Sequence, residues 1–404
     1  MQITDLKTTI VAVPQKGAPD NFSLAGGTWK VVIIVEVNTD DGLVGLGEAI
    51  PTFSDMEFEA AKRLVDSARL LLIGEDPFNV NPIIKKLYVA YNLSHFHIHA
   101  SSWAWTGVEM ALWDLVGKKC GQPLYKIWGG AFRKKIPYFG LIYRTEGTTS
   151  EEVANRSIEL VKKGFESIFM KVGFDVEEDI ELVKVIRETV GYNNGIKIRV
   201  DANQAWTPGQ AIQVINRLEK YDIEYVDQPV LMYNLDNMAR VRSAVNVPIS
   251  SHESSWTFYD ALNLIKRDAA DAIHIDPRFD AGFYGARITA GMAEAAGLPV
   301  LLHGYSQIGI TTCAFMHLAA SCPNFMLANQ GATYDELLDD VILGGRLEFK
   351  DGCLDLPEKP GLGVELDPKK MEKYHAAYNE KVKPKGPPSE LPLYKYMPYR
   401  NFFK

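Results

Sequence analysis

Between residues 136 and 330 the chain alternates short apolar runs with amphipathic helical patterns. Eight runs stand out: YFGLIY (138–143), SIFMKV (167–172), IKIRVD (196–201), IEYVD (223–227), VPIS (247–250), AIHID (272–276), PVLLH (299–303) and FMLAN (325–329). Parallel strands cannot be joined by tight hairpins; each needs a crossover of a dozen or more residues, usually helical. EEVANRSIELVKKG, EEDIELVKVIRETVG, GQAIQVINRLEKY and GARITAGMAEAAG are such crossovers. Eight strand signals separated by helices predict a parallel α/β barrel of the TIM type. A doubly wound open sheet would show the same alternation with fewer strands. The chain has no GxGxxG or GxxxxGK[ST] loop, which counts against nucleotide binding.

The flanking regions differ in texture. Residues 1–135 open with the alternating runs ITDLKTTIVAV and WKVVIIVEVNTDDGLVGLGEA, with Asp41-Gly42 as a hairpin turn. Helical periodicity follows at 57–73, at 80–92 and in WTGVEMALWDLVGKKCGQPLYKIWGG, where Gly121 and Pro123 stop the helix. This region is expected to be an α+β domain. Residues 331–404 hold RLEFKDGCLDLPEKPGLGVELD, a helix near 368–379 and a Pro-rich tail. Their strands have no partner in a closed barrel and are expected to return to the first domain. The tail reads as a flexible end, or as a strap on the fold or a neighbouring subunit.

With 43 basic and 51 acidic residues the net charge is −8, which argues against nucleic acid, whose binding needs neutralised phosphates. Four scattered cysteines make no disulfide framework. MQITDLKTTI lacks the pattern of a signal peptide, and no apolar run reaches the ~18 residues of a membrane span. The expectation is a soluble cytoplasmic protein without a membrane partner.

In a parallel barrel, function sits at the carboxyl ends of the strands. Six consecutive runs end on, or are followed by, ionisable residues: Lys171, Asp201, Asp227, His252-Glu253, Asp276 and His303. Charges gathered on one rim without a ligand would be costly. Asp201, Asp227 and Glu253 are each 26 residues apart, one βα unit. Three convergent carboxylates call for a hard cation, Mg²⁺ or its substitute Mn²⁺, although an Asp at such a turn also serves as a helix N-cap. Glu253 is favoured as third ligand, with His252 as an alternative ligand or an outer partner. Lys171 and His303 flank the trio, and Asp276 is placed to orient His303. Two bases facing a metal-bound carboxylate form a device for removing an α-proton.

These residues resemble the enolase superfamily, mandelate racemase subgroup. The likeness runs over most of residues 1–380 and includes GVEMALWDLVGKKCGQPLYKIWGG, RVDANQAW, VDQP, ISSHESS, AIHIDPRF and LLHGY. LPEKPGLGVELD and the spacing after His303 look most like glucarate dehydratase and its relatives. The resemblance implies a modified (β/α)7β barrel (136–330) with an α+β capping domain (1–135) completed by the C-terminal segment (331–404). It implies Mg²⁺ on Asp201, Asp227 and Glu253, with Lys171 and the His303–Asp276 dyad as acid/base groups, and a homo-oligomer. Three residues depart from the pattern. Phe169 stands where the subgroup usually has a first lysine. Asp227 replaces the commoner Glu, and His252 stands where related sequences carry Asp, Asn or Gly. Asn203 matches a polar position that contacts substrate in the family.

Substrate groups are expected from the cap loops, with Asn21 and Lys30 among them, and from Tyr143 and Arg144 after the first barrel run. This polar inventory favours a polyhydroxylated acid, though Phe22, Leu24, Trp29 and Phe53 are also present. His95, His97 and His99 are expected to be structural or surface histidines, not a zinc site. Trp103, Trp105 and Trp113 are expected at the junction of cap and barrel. The expected activity is an Mg²⁺-dependent acid-sugar (aldonate or aldarate) dehydratase, a hydro-lyase giving a 2-keto-3-deoxy acid. Alternatives are a racemase, epimerase or cycloisomerase using the same enolate chemistry, or a non-catalytic binding protein.

Overall fold

The computed structural model describes residues 1–16, 28–51, 58–90, 99–144 and 147–383. The Pro-rich tail, Asn21, the other polar residues of its loop, His95 and His97 lie outside the described residues. Strands β1 (Ile3–Pro14), β2 (Trp29–Thr39) and β3 (Val44–Ala49) form an antiparallel sheet. The Asp41-Gly42 turn joins β2 to β3, and Gly42 takes the positive φ of 84° that the turn requires. The helix His99–Cys120 lies so close on β3 that a Cβ at Gly47 would collide with the Gly107 carbonyl. Trp103, Trp105, Val108, Leu112 and Leu115 fill this cap's core. Trp113 instead packs against both cap and barrel cores, edge-on to Trp128.

A two-stranded ladder links β4 (Lys135–Pro137) with a late strand described below. The barrel then follows in chain order: β5 (Gly140–Ile142), β6 (Ser167–Lys171), β7 (Lys197–Asp201), β8 (Ile223–Asp227), β9 (Ile249–Ser251), β10 (Ala272–Ile275) and β11 (Val300–Leu302). All neighbours in this seven-stranded sheet are parallel. Phe139, Leu141, Phe169, Tyr225 and Leu301 pack inside it, while Ile168, Met170, Val200 and Val226 face the surrounding helices. The eighth expected strand, FMLAN, is reduced to one bridge between Asn329 and Tyr138. Here the Asn329 side chain does ladder work. Its Oδ1 accepts the Leu302 N–H at 2.8 Å and its Nδ2 donates to the Pro137 carbonyl at 3.2 Å, so it spans β11 and the entry to β5.

The helix caps settle one question left open by the sequence. Thr149, Asp175, Thr207, Asn234 and Thr257 cap the helices that begin at Ser150, Val176, Pro208, Leu235 and Phe258. Asp201 and Asp227 cap none of these.

The C-terminal segment divides. Its helix Pro368–Ala377 returns to the cap, where His375 Nδ1 lies 2.8 Å from the Ile10 carbonyl. Its strand β12 (Cys353–Asp355) does not; it pairs with β4 instead. The Asp351-Gly352 turn before it, with φ of 51° and 66°, seats Gly352 against Gly164 at the start of the β6 unit. The strand therefore finds its partner beneath the barrel and not in the cap sheet.

Buried carboxylates fasten the cap to the barrel. Glu48 accepts the N–H groups of Ile308 and Thr311, both at 2.9 Å, at the start of the helix Gly309–Ser321. Glu109 does the same for Phe283 (2.8 Å) and Tyr284 (3.0 Å) at the helix Gly282–Ala295. Each satisfies orphan donors at a positive helix end. Burial pushes both carboxyls up to about 7 in spite of those bonds.

Glu48→Ala leaves two buried N–H groups without partners, and urea unfolding should show a loss of about 2–4 kcal/mol. The raised carboxyl also has a pH signature. Folded protein binds the Glu48 proton more tightly than unfolded chain, so this contribution is complete below about 4.5 and lost as pH rises to about 7. The stability difference between wild type and Glu48→Gln should fall across that window; a flat difference refutes the assignment.

Candidate active site

Parallel pairing sets the site's first row. Lys171 is in register with Asp201, Asp201 with Asp227, and Asp227 with Ser250. Side chains alternate along a strand, so residues two beyond the inward Phe169 and Tyr225 also face inward. Those residues are Lys171 and Asp227. The same rule carries Leu141 to Tyr143, Ser250 to His252, His274 to Asp276 and Leu301 to His303.

The Lys171 ammonium is ion-paired with Asp201 Oδ2 and lies 5.4 Å from the centre of the Phe169 ring. Phe169 in turn stacks on Phe139. Asp201 Oδ1 accepts the Asn203 N–H at 2.7 Å, and Asn203 Nδ2 donates to Glu253 Oε1 at 3.0 Å. Neither oxygen of Asp227 accepts a hydrogen bond among the described residues. Burial raises its carboxyl well above the ordinary value, and the charges of Asp201 and Glu253 add to that.

Asp201, Asp227 and His252 each offer a ligand atom within 4.8 Å of the others. Thus Asp201 and Asp227 meet as the sequence implied, but the tight cluster is completed by His252. Glu253 lies beside it, held by Asn203, with Oε2 at 3.5 Å from His252 Nδ1. The orphaned oxygens of Asp227 and the unpartnered ring nitrogens of His252 fit a divalent cation. Burial, then the nearby His303, hold His252 well below the ordinary imidazole value, leaving it a neutral donor.

His303 Nδ1 is 2.6 Å from Asp276 Oδ2, the expected dyad contact. Sequence reasoning missed Arg278. Its Nε donates to Asp276 Oδ1 at 2.8 Å, its Nη2 to Oδ2 at 2.5 Å and its Nη1 to the Tyr305 carbonyl at 2.7 Å. Burial alone would raise Asp276, but Arg278 and His303 outweigh it and hold the carboxyl well below the usual range. For His303, burial lowers the imidazole and Asp276 only partly offsets this; Arg278 and Lys171 lower it further. His303 is therefore a neutral base at rest.

Two more residues went unnoticed. Gln228 accepts the N–H groups of His252 (3.2 Å) and Ser254 (3.0 Å) through one oxygen, fixing the turn after β9. His274 sets its Nε2 3.5 Å from Asp227 Oδ2. Its signal was present, since His274 and Asp276 share one face of the run AIHID.

The proposed substrate groups scatter. Tyr143 packs at the edge of the barrel's inner cluster. Arg144 is buried, ion-paired with Asp179 and Glu178 and set over Phe174. Lys30 is buried on β2 opposite Val13. An aromatic wall was also unforeseen: Trp256 stacks on Phe279 with centroids 4.5 Å apart, and His303 lies 5.3 Å from Tyr305 and 4.1 Å from His252.

A parallel barrel whose rim carboxylate cluster is flanked by Lys171 and the His303–Asp276 pair, closed by an α+β cap, defines the class. The chain belongs to the enolase superfamily, in its mandelate racemase and muconate lactonizing enzyme subgroup. Residues 5–129 match the family model "Mandelate racemase / muconate lactonizing enzyme, N-terminal domain", and residues 152–370 match "Enolase C-terminal domain-like". Members are enzymes that bind Mg²⁺. The chain is 36% identical over 354 residues to the hydrophobic dipeptide epimerase of Enterococcus faecalis, covering 85% of this chain and 95% of that protein. It is 32% identical over 345 residues to the arabinonate dehydratase of Saccharolobus solfataricus, covering 85% and 90%. The structure of the Enterococcus faecalis dipeptide epimerase with Mg and the dipeptide L-Leu-L-Tyr superposes with a TM-score of 0.81 at 30% identity, covering 90% of this chain and 100% of that one.

The dyad geometry predicts an NMR titration. The His303 ring in metal-free protein should titrate below the ordinary 6.5. Asp276→Asn removes the carboxylate that raises it most and should move the midpoint lower. Arg278→Gln removes an opposing charge and should move it higher.

Proposed function

We propose that this chain epimerises or racemises an α-substituted carboxylate, with N-acylated amino acids and dipeptides as the substrate class. The supporting observation is the resting state of the two acid/base groups. Lys171 forms an ion pair with Asp201, whereas His303 is held by Asp276 in a buried setting that favours its neutral form. A neutral base on one side and a charged acid on the other are the pair needed for transferring one α-proton across a carbon.

The steps follow from these residues. The substrate carboxylate docks beside Asp201, Asp227 and the turn after β9. His303 Nε2 accepts the α-proton, and Asp276 stabilises the imidazolium that results. Lys171 Nζ delivers a proton to the opposite face. A bound divalent ion would stabilise the enediolate charge that these steps create; Asp201, Asp227 and His252 would hold it. The reverse direction exchanges the two roles.

Acid-sugar dehydration asks more of the same groups. It needs an acid that expels a β-hydroxyl, a role open to His303 once it has taken the α-proton or to Lys171. The wall of Trp256, Phe279 and Tyr305 also suits an apolar substituent better than a polyol. Among the relatives, the hydrophobic dipeptide epimerase and the N-succinyl-Arg/Lys racemase act on acylated amino acids, while the arabinonate dehydratase keeps dehydration as the second reading. None of these supports glucarate dehydration in particular.

Incubation in D₂O with Mg²⁺ and a library of dipeptides, N-acyl amino acids and aldonates tests the proposal. Expected is loss of the α-proton signal of an acylated amino acid, with appearance of its epimer on a chiral column. Lys171→Ala and His303→Asn should each lower inversion by about a thousandfold or more. New C3-deoxy resonances from an aldonate, without inversion of any amino acid derivative, would replace epimerisation by dehydration.

A further inference from the structure

We infer that the third protein donor to the rim cation is His252 and not Glu253, so that the site selects a borderline, nitrogen-accepting ion such as Co²⁺ or Zn²⁺ over Mg²⁺. This rests on the reading that the rim cluster holds the divalent ion. It departs from the all-oxygen set that the superfamily resemblance implied.

Strand parity is the first ground. Ser250 stands beside Asp227 in register, and the residue sharing its face is His252. Glu253 falls off that parity, in the turn Glu253–Ser255; its Oε1 is engaged by Asn203, while its Oε2 has no hydrogen-bond partner among the described residues and lies outside the tight cluster. The second ground is fixation: Gln228 binds the backbone on both sides of Glu253, at His252 and Ser254, so the turn cannot readily rotate to exchange the two side chains. The third is the state of the imidazole. His252 is buried, and neither ring nitrogen has a hydrogen-bond partner among the described residues. Its Nδ1 lies 3.8 Å from Asp227 Oδ2. Two donors each about 2.1 Å from one ion sit about 3–4 Å apart, so little movement is required.

A second imidazole reinforces the preference. His274 Nε2 approaches the same Asp227 oxygen at 3.5 Å, and the His252 and His274 rings lie 5.4 Å apart. Imidazole suits Zn²⁺, Co²⁺ and their neighbours, whereas Mg²⁺ prefers carboxylates and water. The tight cluster itself offers Mg²⁺ only two carboxylates, Asp201 and Asp227, with Glu253 Oε2 beside it at 3.5 Å from His252 Nδ1.

The test must separate this from the general rule that Zn²⁺ and Co²⁺ outbind Mg²⁺ at most sites. The readouts are therefore the change in the Co²⁺/Mg²⁺ affinity ratio on substitution, measured by titration calorimetry, and the nitrogen coupling of Mn²⁺-loaded protein in electron spin-echo spectra. His252→Asp should lower the ratio by about tenfold or more and erase the coupling from a coordinated imidazole. Glu253→Gln should leave the ratio within about threefold. Circular dichroism of both metal-free variants checks folding, and His252→Gln provides a second imidazole-free variant should His252→Asp fail to fold. A ratio unchanged in an imidazole-free variant, absent nitrogen coupling in wild type, or a larger loss in Glu253→Gln overturns the inference. Those results leave epimerisation standing. Nitrogen-ligated metal without inversion of any acid would do the opposite.

Discussion

Register between β6, β7 and β8 is the constraint on which the rest of the site depends. It sets Lys171, Asp201 and Asp227 side by side at the ends of three parallel strands. Two buried carboxylates at that spacing repel, and among the described residues Lys171 pairs directly with Asp201 and acts on Asp227 only from a distance. Asp227 is left to the edges of two neutral imidazoles. Its carboxyl is driven upward by burial and by Asp201 and Glu253, a cost the fold alone does not offset. The arrangement is explained by a ligand that supplies positive charge.

The cap shows what a structural buried carboxylate looks like by contrast. Glu48 and Glu109 each receive two backbone N–H groups from a helix start, and Asp114 receives those of Leu46 and Leu362. Asp227 receives no backbone N–H among the described residues, and the Ser250 hydroxyl beside it offsets its burial only in small part. Burial is common to all four, so burial does not distinguish the functional group; hydrogen-bond satisfaction does. Arg144 is ion-paired with Asp179 and Glu178, outside the rim cluster, whereas Lys171 is ion-paired with Asp201, a member of that cluster.

Much of this architecture was legible in the chain. Seven of eight apolar runs became barrel strands because their crossovers had the length and periodicity of helices. The eighth is reduced to one bridge at Asn329, where backbone bonds of Asn329 and Gln330 to Pro137, Phe139 and Leu302 are supplemented by the Asn329 side chain, a device that no hydrophobic pattern reveals. Asp201, Asp227, Asp276 and His303 were visible as ionisable residues at strand ends. Equal spacing and three carboxylates favour Glu253, whereas period-two alternation from Ser250 brings His252 into the tight cluster. Arg278 escaped because its role depends on a turn that folds its guanidinium back onto Asp276, two residues earlier. Sequence spacing carries no such information.

Arg278 also bears on why the dyad is poised as it is. A carboxylate beside an imidazole ordinarily raises its basicity, making it a ready acid at neutral pH. Here both Asp276 oxygens are shared with a guanidinium, so much of the negative field is already neutralised, and burial prevails at His303. The imidazole keeps its orientation from Asp276 without holding a proton at rest. Lys171 is placed differently, in an ion pair with Asp201. The two rim residues thus sit in opposite electrostatic settings, one beside a carboxylate shared with a guanidinium and the other paired directly with a carboxylate. That asymmetry follows from their immediate neighbours and exists before any substrate arrives.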